Sequence, residues 1–82
     1  MKEVNLVLAK AFVLIETAVG KTTEVVSILN KIDSLTSVDI VTGPYDIIAV
    51  IEAEDLNRIG EVITGKIHAI KGIARTVTCL AV

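Results

Sequence analysis

The chain has 82 residues, of which 52% are hydrophobic and 22% are charged, and its net charge at pH 7 is −2. This length predicts one small domain, and the abundance of Ile, Val and Leu, 31 residues in all, excludes a disordered chain. The acidic balance and the presence of only two aromatic residues exclude a basic surface that stacks nucleic-acid bases. Apolar runs of about six residues are far shorter than the roughly 18 that cross a bilayer.

The single cysteine, Cys79, excludes a disulfide framework and a cysteine-rich metal site. It is compatible with the reducing cytoplasm, where we expect the protein to be located. His68 and Cys79 have no neighbouring ligand in the sequence, so neither predicts a metal site or a Cys–His nucleophile. We therefore expect no cofactor, no direct contact with nucleic acid and no contact with a membrane.

The first half of the chain predicts a strand, a helix and a second strand. Residues 5–17 are predicted to form the first strand, with a core at residues 11–15 that is too apolar for simple alternation. Thr22 is the predicted N-cap of a helix whose apolar side chains recur at helical spacing up to Ile32. The second strand is predicted at residues 38–42.

A turn at residues 42–46 joins the second strand to a third strand, which is predicted at residues 47–53. Pro44 presets its own φ, and Gly43 is free to adopt conformations that other residues avoid. The sequence therefore predicts a tight turn and an antiparallel hairpin, with the turn at one end of the sheet.

The last part of the chain predicts a second helix and a fourth strand. Asp55 is the natural N-cap of this helix. One face of the helix is predicted to carry apolar side chains at spacings of three and four: Leu56, Ile59, Ile63, Ile67 and Ile70. Gly72 ends the helix, and residues 73–82 form the predicted last strand.

The order βαββαβ predicts an α+β fold of the ferredoxin-like kind, as a single domain over residues 1–82. Right-handed crossovers give a four-stranded antiparallel sheet with both helices on one face and the last strand beside the first. The opposite face is left uncovered, and the strands contain too little polar sequence to make it polar. We therefore expect a second copy to pack on it, sheet to sheet, as a dimer at least.

Several segments in a fixed order resemble a known family. They are Phe12-Val13-Leu14-Ile15 followed by Gly20-Lys21, Val41-Thr42-Gly43-Pro44-Tyr45-Asp46, Ala53-Glu54-Asp55-Leu56, and Gly72-Ile73-Ala74-Arg75-Thr76-Val77-Thr78. Together they resemble the C-terminal effector-binding domain of the Lrp/AsnC transcriptional regulators, often called the RAM domain. The resemblance covers about 70 of the 82 residues. Full-length members carry an N-terminal helix-turn-helix, for which the ten residues before the first strand core leave no room, so we expect a stand-alone module.

The resemblance implies a non-enzymatic module of transcription regulation. Its members form dimers with a shared α/β-barrel architecture, and the dimers often assemble into rings such as octamers. They bind an effector, usually an amino acid, in a cleft between dimers. Without a DNA-binding domain of its own, the module is expected to act in trans on full-length Lrp/AsnC-type regulators.

The resemblance also places the effector near the hairpin turn and the last strand, which gives the predicted site residues Gly43, Pro44, Tyr45, Asp46, Thr76 and Thr78. Backbone N–H groups of the turn suit the carboxylate of an amino acid, and the Asp46 carboxylate suits its ammonium. Thr76 and Thr78 are two residues apart on a strand, so their hydroxyls share a face.

Each of these residues also has a simpler interpretation. Turn chemistry alone explains Gly43 and Pro44, turn capping explains Asp46, and strand preference explains the two threonines. Tyr45 either lines the cleft or packs at an interface. Because the hairpin and the last strand are not neighbours in the predicted sheet, we expect a site that uses both to form where subunits or dimers meet.

The remaining charged residues predict no catalytic site. Arg58 and Arg75 are expected to form surface pairs, and Glu16 and Glu52 occupy equivalent strand ends. Two other functions stay open: a purely structural oligomerisation module, and a small dimeric α+β barrel enzyme, which needs a polar cavity with His, Tyr or Arg. An ACT-like amino-acid-binding domain shares the element order, but the hairpin and the segment from Gly72 favour the Lrp/AsnC resemblance.

Overall fold

The structure of the protein is a computed structural model, and it describes residues 9–82. The elements, in chain order, are β1 (Ala9–Thr17), α1 (Thr22–Leu29), β2 (Leu35–Ile40), β3 (Ile47–Ala53), α2 (Leu56–Val62), a π-helical turn (Ile63–Ile67) and β4 (Ile73–Leu80). The predicted order βαββαβ is confirmed. Residues 5–8 of the predicted first strand lie outside the described residues.

The four strands form one antiparallel sheet in the order β2-β3-β1-β4. Strand β1 pairs with β3 from Ala9↔Ala53 to Ile15↔Ile47, and on its other side it pairs with β4. The last strand therefore lies beside the first, as the crossover rule predicts. The end of β1, the start of β3 and the start of β4 all meet at the same end of the sheet as the hairpin turn.

The strand β1 divides its side chains between two faces. Ala11, Val13 and Ile15 are 0% exposed and lie on the face that packs against the helices. Phe12 and Leu14 alternate with them and lie on the opposite face, and Phe12 is exposed. The run that was expected to be too apolar for simple alternation is therefore an alternating strand with one covered face and one apolar uncovered face.

The core lies between the sheet and the helices. It is formed by aliphatic side chains from β1, from β3 and from both helices: Ala11, Val13, Ile15, Val25, Leu29, Ile32, Ile47, Ala49, Ile51, Ile59, Val62, Ile63, Ile67 and Ile70. Among residues 9–82, no polar or charged residue is buried. Within these residues, every polar and charged side chain is at least partly exposed.

The first helix differs from its prediction at both ends. Lys21 occupies the N-cap position and makes no side-chain capping bond, so the prediction of Thr22 as N-cap is wrong. The Thr22 hydroxyl lies instead 2.7 Å from the hydroxyl of Thr17 at the end of β1. The helix ends at Leu29, and Ile32 reaches the core from the loop that follows.

The second helix begins as predicted. Asp55 is its N-cap, and the Asp55 carboxylate accepts a hydrogen bond from the backbone N–H of Arg58 at 2.9 Å. The predicted apolar face is buried, except that Leu56 is 58% exposed at the first helical position. The backbone N–H of His68 donates to the Ile63 carbonyl at 2.8 Å, which closes the wider π-helical turn.

Both bounds of β3 are as predicted, and so are the end of β1 at Thr17 and the start of β4 at Ile73. Strand β2 begins at Leu35, three residues before its predicted start, and β4 ends at Leu80, two residues before its predicted end. Within the described part of the chain, no helix is long and apolar enough to cross a membrane.

Candidate functional site

The hairpin turn is exposed, and its glycine is required by the backbone. Gly43 has a φ of 144°, a conformation that residues with a side chain rarely adopt. No heavy atom lies within 4 Å of the position that a Cβ would occupy there, so space does not require the glycine. Thr42 and Pro44 are exposed beside it. The turn therefore offers its backbone to solvent, and its N–H groups remain predicted carboxylate ligands.

The Asp46 carboxylate fixes this turn to the rest of the fold. Its Oδ2 atom accepts hydrogen bonds from the backbone N–H of Thr17 at 2.8 Å and from the Thr17 hydroxyl at 3.1 Å. The backbone N–H of Asp46 donates to the carbonyl of Ile15 at 2.9 Å. These bonds support the simpler, turn-fixing interpretation of Asp46. Its second oxygen takes no part in them, so binding of an ammonium remains a prediction.

Tyr45 lies against charged residues of two other strands. The guanidinium of Arg75, on β4, donates from Nη2 to the Tyr45 hydroxyl at 3.3 Å and lies 5.3 Å from the centre of its ring. The Nε atom of Arg75 lies 3.4 Å from Oε1 of Glu16, on β1. Glu16 and Arg75 are directly paired across the two strands. We call these three residues the polar cluster.

The polar cluster corrects one expectation from the sequence. The hairpin and the last strand were expected to be apart within one subunit, but Tyr45 and Arg75 are in contact. The reason is that Tyr45 precedes β3, whose start lies beside the end of β1, and that end of β1 pairs in turn with the start of β4. Only β1 therefore separates the start of β3, next to Tyr45, from the start of β4, where Arg75 lies.

The two predicted threonines lie on the other face of the sheet. Thr76 pairs with Ile15 and Thr78 pairs with Val13, and both partners face the helices. The Thr76 hydroxyl lies 3.3 Å from Nε2 of His68, and Thr78 is exposed. The spacing of two does place both hydroxyls on one face, but the sheet separates them from Tyr45.

The uncovered face of the sheet carries an apolar band that begins at the polar cluster. The band is defined by residues paired across β3, β1 and β4: Phe12, Leu14, Ile48, Val50, Val77 and Cys79. At its far end the ammonium of Lys10 lies 5.3 Å from the centre of the Phe12 ring. Both helices lie on the other side of the sheet, so within residues 9–82 no helix covers the band.

Sequence reasoning missed the polar cluster. It predicted that Arg75 forms a surface pair, which the contact with Glu16 confirms, but it treated Glu16 only as a strand end and did not predict that these two residues meet Tyr45. Their proximity depends on the register between β1 and β4, which no local spacing encodes. One signal was available in the sequence. Gly20 follows the end of β1 and Gly72 precedes the start of β4, so these two glycines limit the register in which the two strands can pair.

An open depression of about 440 Å³ lies at the opposite end of the sheet, between the end of β3 and the start of α2. It is lined mainly by polar and acidic residues: Ser34, Glu52, Ala53, Glu54, Asp55, Asn57, Arg58 and Glu61. None of the predicted site residues lines it. Among residues 9–82, no group of three or more His, Cys, Asp and Glu side chains is arranged to hold a metal ion.

Known proteins resemble this chain in sequence and in structure. The family model described as the Lrp/AsnC ligand binding domain matches residues 10–82. No curated protein sequence matches the chain. Among solved structures, FFRP-DM1 is 33% identical, with a TM-score of 0.87, and the match covers 92% of this chain and 100% of that one.

Two full regulators are similar in fold. AsnC of E. coli has a TM-score of 0.89 at 20% identity, over 100% of this chain and 58% of its own. A transcriptional regulator from Neisseria meningitidis, solved as a complex with L-Met, has a TM-score of 0.85 at 12% identity, over 100% of this chain and 57% of its own. The chain spans little more than half the length of these two proteins.

Proposed function

The chain belongs to the Lrp/AsnC ligand-binding domain family, and on that premise we propose that it is a regulatory, non-enzymatic module that self-associates and binds an amino acid. The observation that carries the proposal is the uncovered sheet face, on which an apolar band ends in a polar cluster. An apolar face of this kind is typical of a surface that another protein covers. Ligand sites in general combine apolar surface with a small number of polar groups that fix the ligand's orientation.

Self-association follows from the apolar band. Two copies related by a two-fold axis place the same band against itself, which is the commonest arrangement of homodimers. Five of the band's side chains on each copy are aliphatic or aromatic, and covering half-buried side chains of this size contributes on the order of 1 kcal/mol each. A dimer is therefore the proposed unit, with rings of dimers, such as an octamer, as its larger assembly.

Amino acid binding is supported by the family and by the complex of the Neisseria regulator with L-Met. The predicted contacts are Gly43, Pro44, Tyr45, Asp46, Thr76 and Thr78. Since the sheet separates Tyr45 from the two threonines, one ligand meets both sets only where more than one subunit takes part. The effector site and the assembly are therefore expected to be thermodynamically linked.

The proposal extends to action in trans, in which this chain joins an assembly of full-length Lrp/AsnC-type regulators. Full-length Lrp/AsnC-type regulators carry a domain with the same fold, so we expect the apolar band to pair with that domain as well as with its own copy. Mixing the chain with such a regulator and separating the products by size is the direct test. Mixed assemblies are the expected result, and exclusive self-assembly of both proteins contradicts action in trans.

A melting-temperature screen with the twenty amino acids tests the effector proposal. A ligand that binds the folded state raises the melting temperature by mass action, and the shift grows with ligand concentration. At least one amino acid is expected to raise it in a concentration-dependent way. If none does while the protein remains assembled, the band serves assembly alone and the chain is a structural oligomerisation module, the second function that the same face supports.

A further inference from the structure

We propose that the outer edge of β4 pairs with β4 of a second copy, as two antiparallel strands about a two-fold axis, and that this pairing joins dimers into larger assemblies. The pairing rests on the proposed function, which supplies the dimer through the apolar band. It uses the edge of the sheet and not its uncovered face, so the edge stays accessible when a second copy covers the band.

The strand β4 is the most accessible strand of the sheet. It lies at one edge, and within residues 9–82 no other strand pairs with its outer side. The two helices pack mainly over β1, β2 and β3. Every residue of Ile73–Leu80 is at least partly exposed. The outer edge of β4 is therefore open to another chain.

The backbone of β4 directs alternate residues toward β1 and away from it. The N–H of Ala81 donates to the carbonyl of Lys10 at 2.9 Å, so Ala81 and every second residue before it use their backbone groups to bond β1. The residues between them direct their N–H and C=O groups outward, and we call them the outward row: Thr76, Thr78 and Leu80. Such a row of unpaired donors and acceptors is the template to which another chain adds a strand.

The two edges of the sheet differ in their protection against other chains. At the opposite edge, β2 has a register irregularity between Leu35 and Ser37, and Asp39 places a charge on the strand. Both features are ways in which edge strands avoid pairing with other chains. The strand β4 pairs regularly over residues 75–80, and residues 76–82 contain no charged side chain and no proline. The edge of β4 lacks these protections, which favours it over β2 as the site of strand pairing.

A second copy fits this edge because the outward row is symmetric about its middle residue, Thr78. A two-fold axis at Thr78 places this residue opposite its own copy and Thr76 opposite Leu80 of the second copy, so every outward N–H and C=O group finds a partner. The two Arg75 side chains then lie roughly 20 Å apart along the strands. This distance exceeds the Debye length of about 8 Å at physiological ionic strength, so their like charges do not oppose the pairing.

The same axis makes the apolar bands of the two copies continuous. Val77 and Cys79 lie on the band side of β4, and the axis at Thr78 places each of them beside the other residue of the second copy. The pairing therefore extends the apolar surface that the dimer covers. A single pair of strands is marginally stable alone, so the pairing joins dimers that the band has already formed and does not replace the band.

Hydrogen exchange of the backbone amides tests the pairing in the wild-type assembly without any ligand. The amides of the outward row are expected to exchange about ten-fold or more slowly than in the monomer that Phe12→Glu gives, because a partner strand protects them. The N–H of Val41 donates to the carbonyl of Asp46, so the alternate residues Val38 and Ile40 direct their amides away from the sheet at the edge of β2. These two amides are the internal control and are expected to exchange equally fast in both proteins.

A proline at the centre of the outward row tests the pairing in a second way. Thr78→Pro removes an N–H that β1 does not use, so the sheet keeps its own hydrogen bonds, and sedimentation is expected to show that assemblies larger than the dimer are lost while the dimer remains. Ile40 is 62% exposed on β2, and Ile40→Pro makes the same change at the other edge, where it is expected to keep the wild-type assembly. If Thr78→Pro does not fold, Thr78→Lys replaces it, because this variant keeps the backbone and places two like charges opposite each other at the axis.

The remaining outcomes separate this pairing from the proposed function. Fast exchange of the outward row in the wild-type assembly, or larger assemblies that survive the substitution of Thr78, overturns the pairing and leaves the dimer intact. Slow exchange at the edge of β2 as well overturns the pairing of two β4 strands, because it assigns β2 of the second copy as the partner. Slow exchange of the outward row that persists in the monomer overturns it too, because the chain then covers its own edge. A wild type that is monomeric at micromolar concentration overturns the proposed self-association and the pairing together.

Discussion

The carboxylate of Asp46 accepts two hydrogen bonds from one residue, Thr17: one from its backbone N–H at 2.8 Å and one from its hydroxyl at 3.1 Å. The Thr17 hydroxyl lies in turn 2.7 Å from that of Thr22, the first residue of α1. A single side chain at the hairpin therefore fixes the end of β1, and the Thr17 hydroxyl links it to the start of the first helix. The Asp46 carboxylate, which the sequence predicts as a ligand contact, therefore also has a structural role.

Replacing Asp46 by Ala is expected to lower the free energy of unfolding by about 1–3 kcal/mol, because a partly buried backbone N–H loses its acceptor. Urea unfolding at a fixed protein concentration measures the loss, since the stability of an assembling protein depends on concentration. Asp33→Ala, at an exposed position in the loop between α1 and β2, is the control and is expected to change little. Equal stability of the Asp46→Ala variant and the wild type contradicts the structural role.

A charge in the apolar band is expected to break the assembly. Phe12 is 36% exposed on the band, and Phe12→Glu places a carboxylate where a second copy is proposed to pack. Sedimentation at micromolar concentration is expected to show a shift from dimers or larger species to the monomer. Ile28 is 40% exposed on α1, on the other side of the sheet, so Ile28→Glu is a control of matched exposure that is expected to keep the assembly. If both variants remain assembled, the band is not the interface.

The predicted threonine contacts have their own test. Thr78→Val keeps the shape of the side chain and removes one hydroxyl from an exposed position of β4, so folding is expected to be intact. A hydroxyl that bonds the ligand contributes on the order of 1–2 kcal/mol, and calorimetry is expected to show that loss of affinity. Unchanged affinity with a preserved assembly removes Thr78 from the site.

The parts of the fold that the sequence predicts well depend on local chemistry. The turn residues Gly43 and Pro44 mark the start of β3, and the predicted bounds of this strand, Ile47–Ala53, are confirmed. Asp55 caps α2 through the backbone N–H three residues later, a contact that short-range spacing encodes. Thr22 carried an equally good local signal, but its hydroxyl contacts Thr17 of β1 instead of the helix N-terminus.

The candidate site is harder to predict, because it depends on register and on which side chains of a strand face the helices. The contact of Glu16 with Arg75 is set by the pairing of two strands that are almost sixty residues apart in sequence. The spacing of Thr76 and Thr78 predicts that they share a face, but not that this face is the one with the helices. Both facts follow from the packing of the whole domain, since a slip of one residue reverses every side chain of a strand.

The glycines of the chain give a last prediction, in which two similar substitutions have opposite effects. Gly60 lies within α2, has no positive φ, and has no heavy atom within 4 Å of the position of an added Cβ. Gly60→Ala is therefore expected to raise the free energy of unfolding by about 1 kcal/mol, the difference in helix propensity between the two residues. Gly43→Ala is expected to lower it by about 1–3 kcal/mol, although the space there is equally open, because the φ of 144° is strained for alanine. Urea unfolding of both variants at one protein concentration measures whether each substitution raises or lowers the free energy of unfolding. A Gly60→Ala variant that is less stable or less assembled than the wild type indicates instead that a neighbouring subunit approaches α2 closely at this glycine.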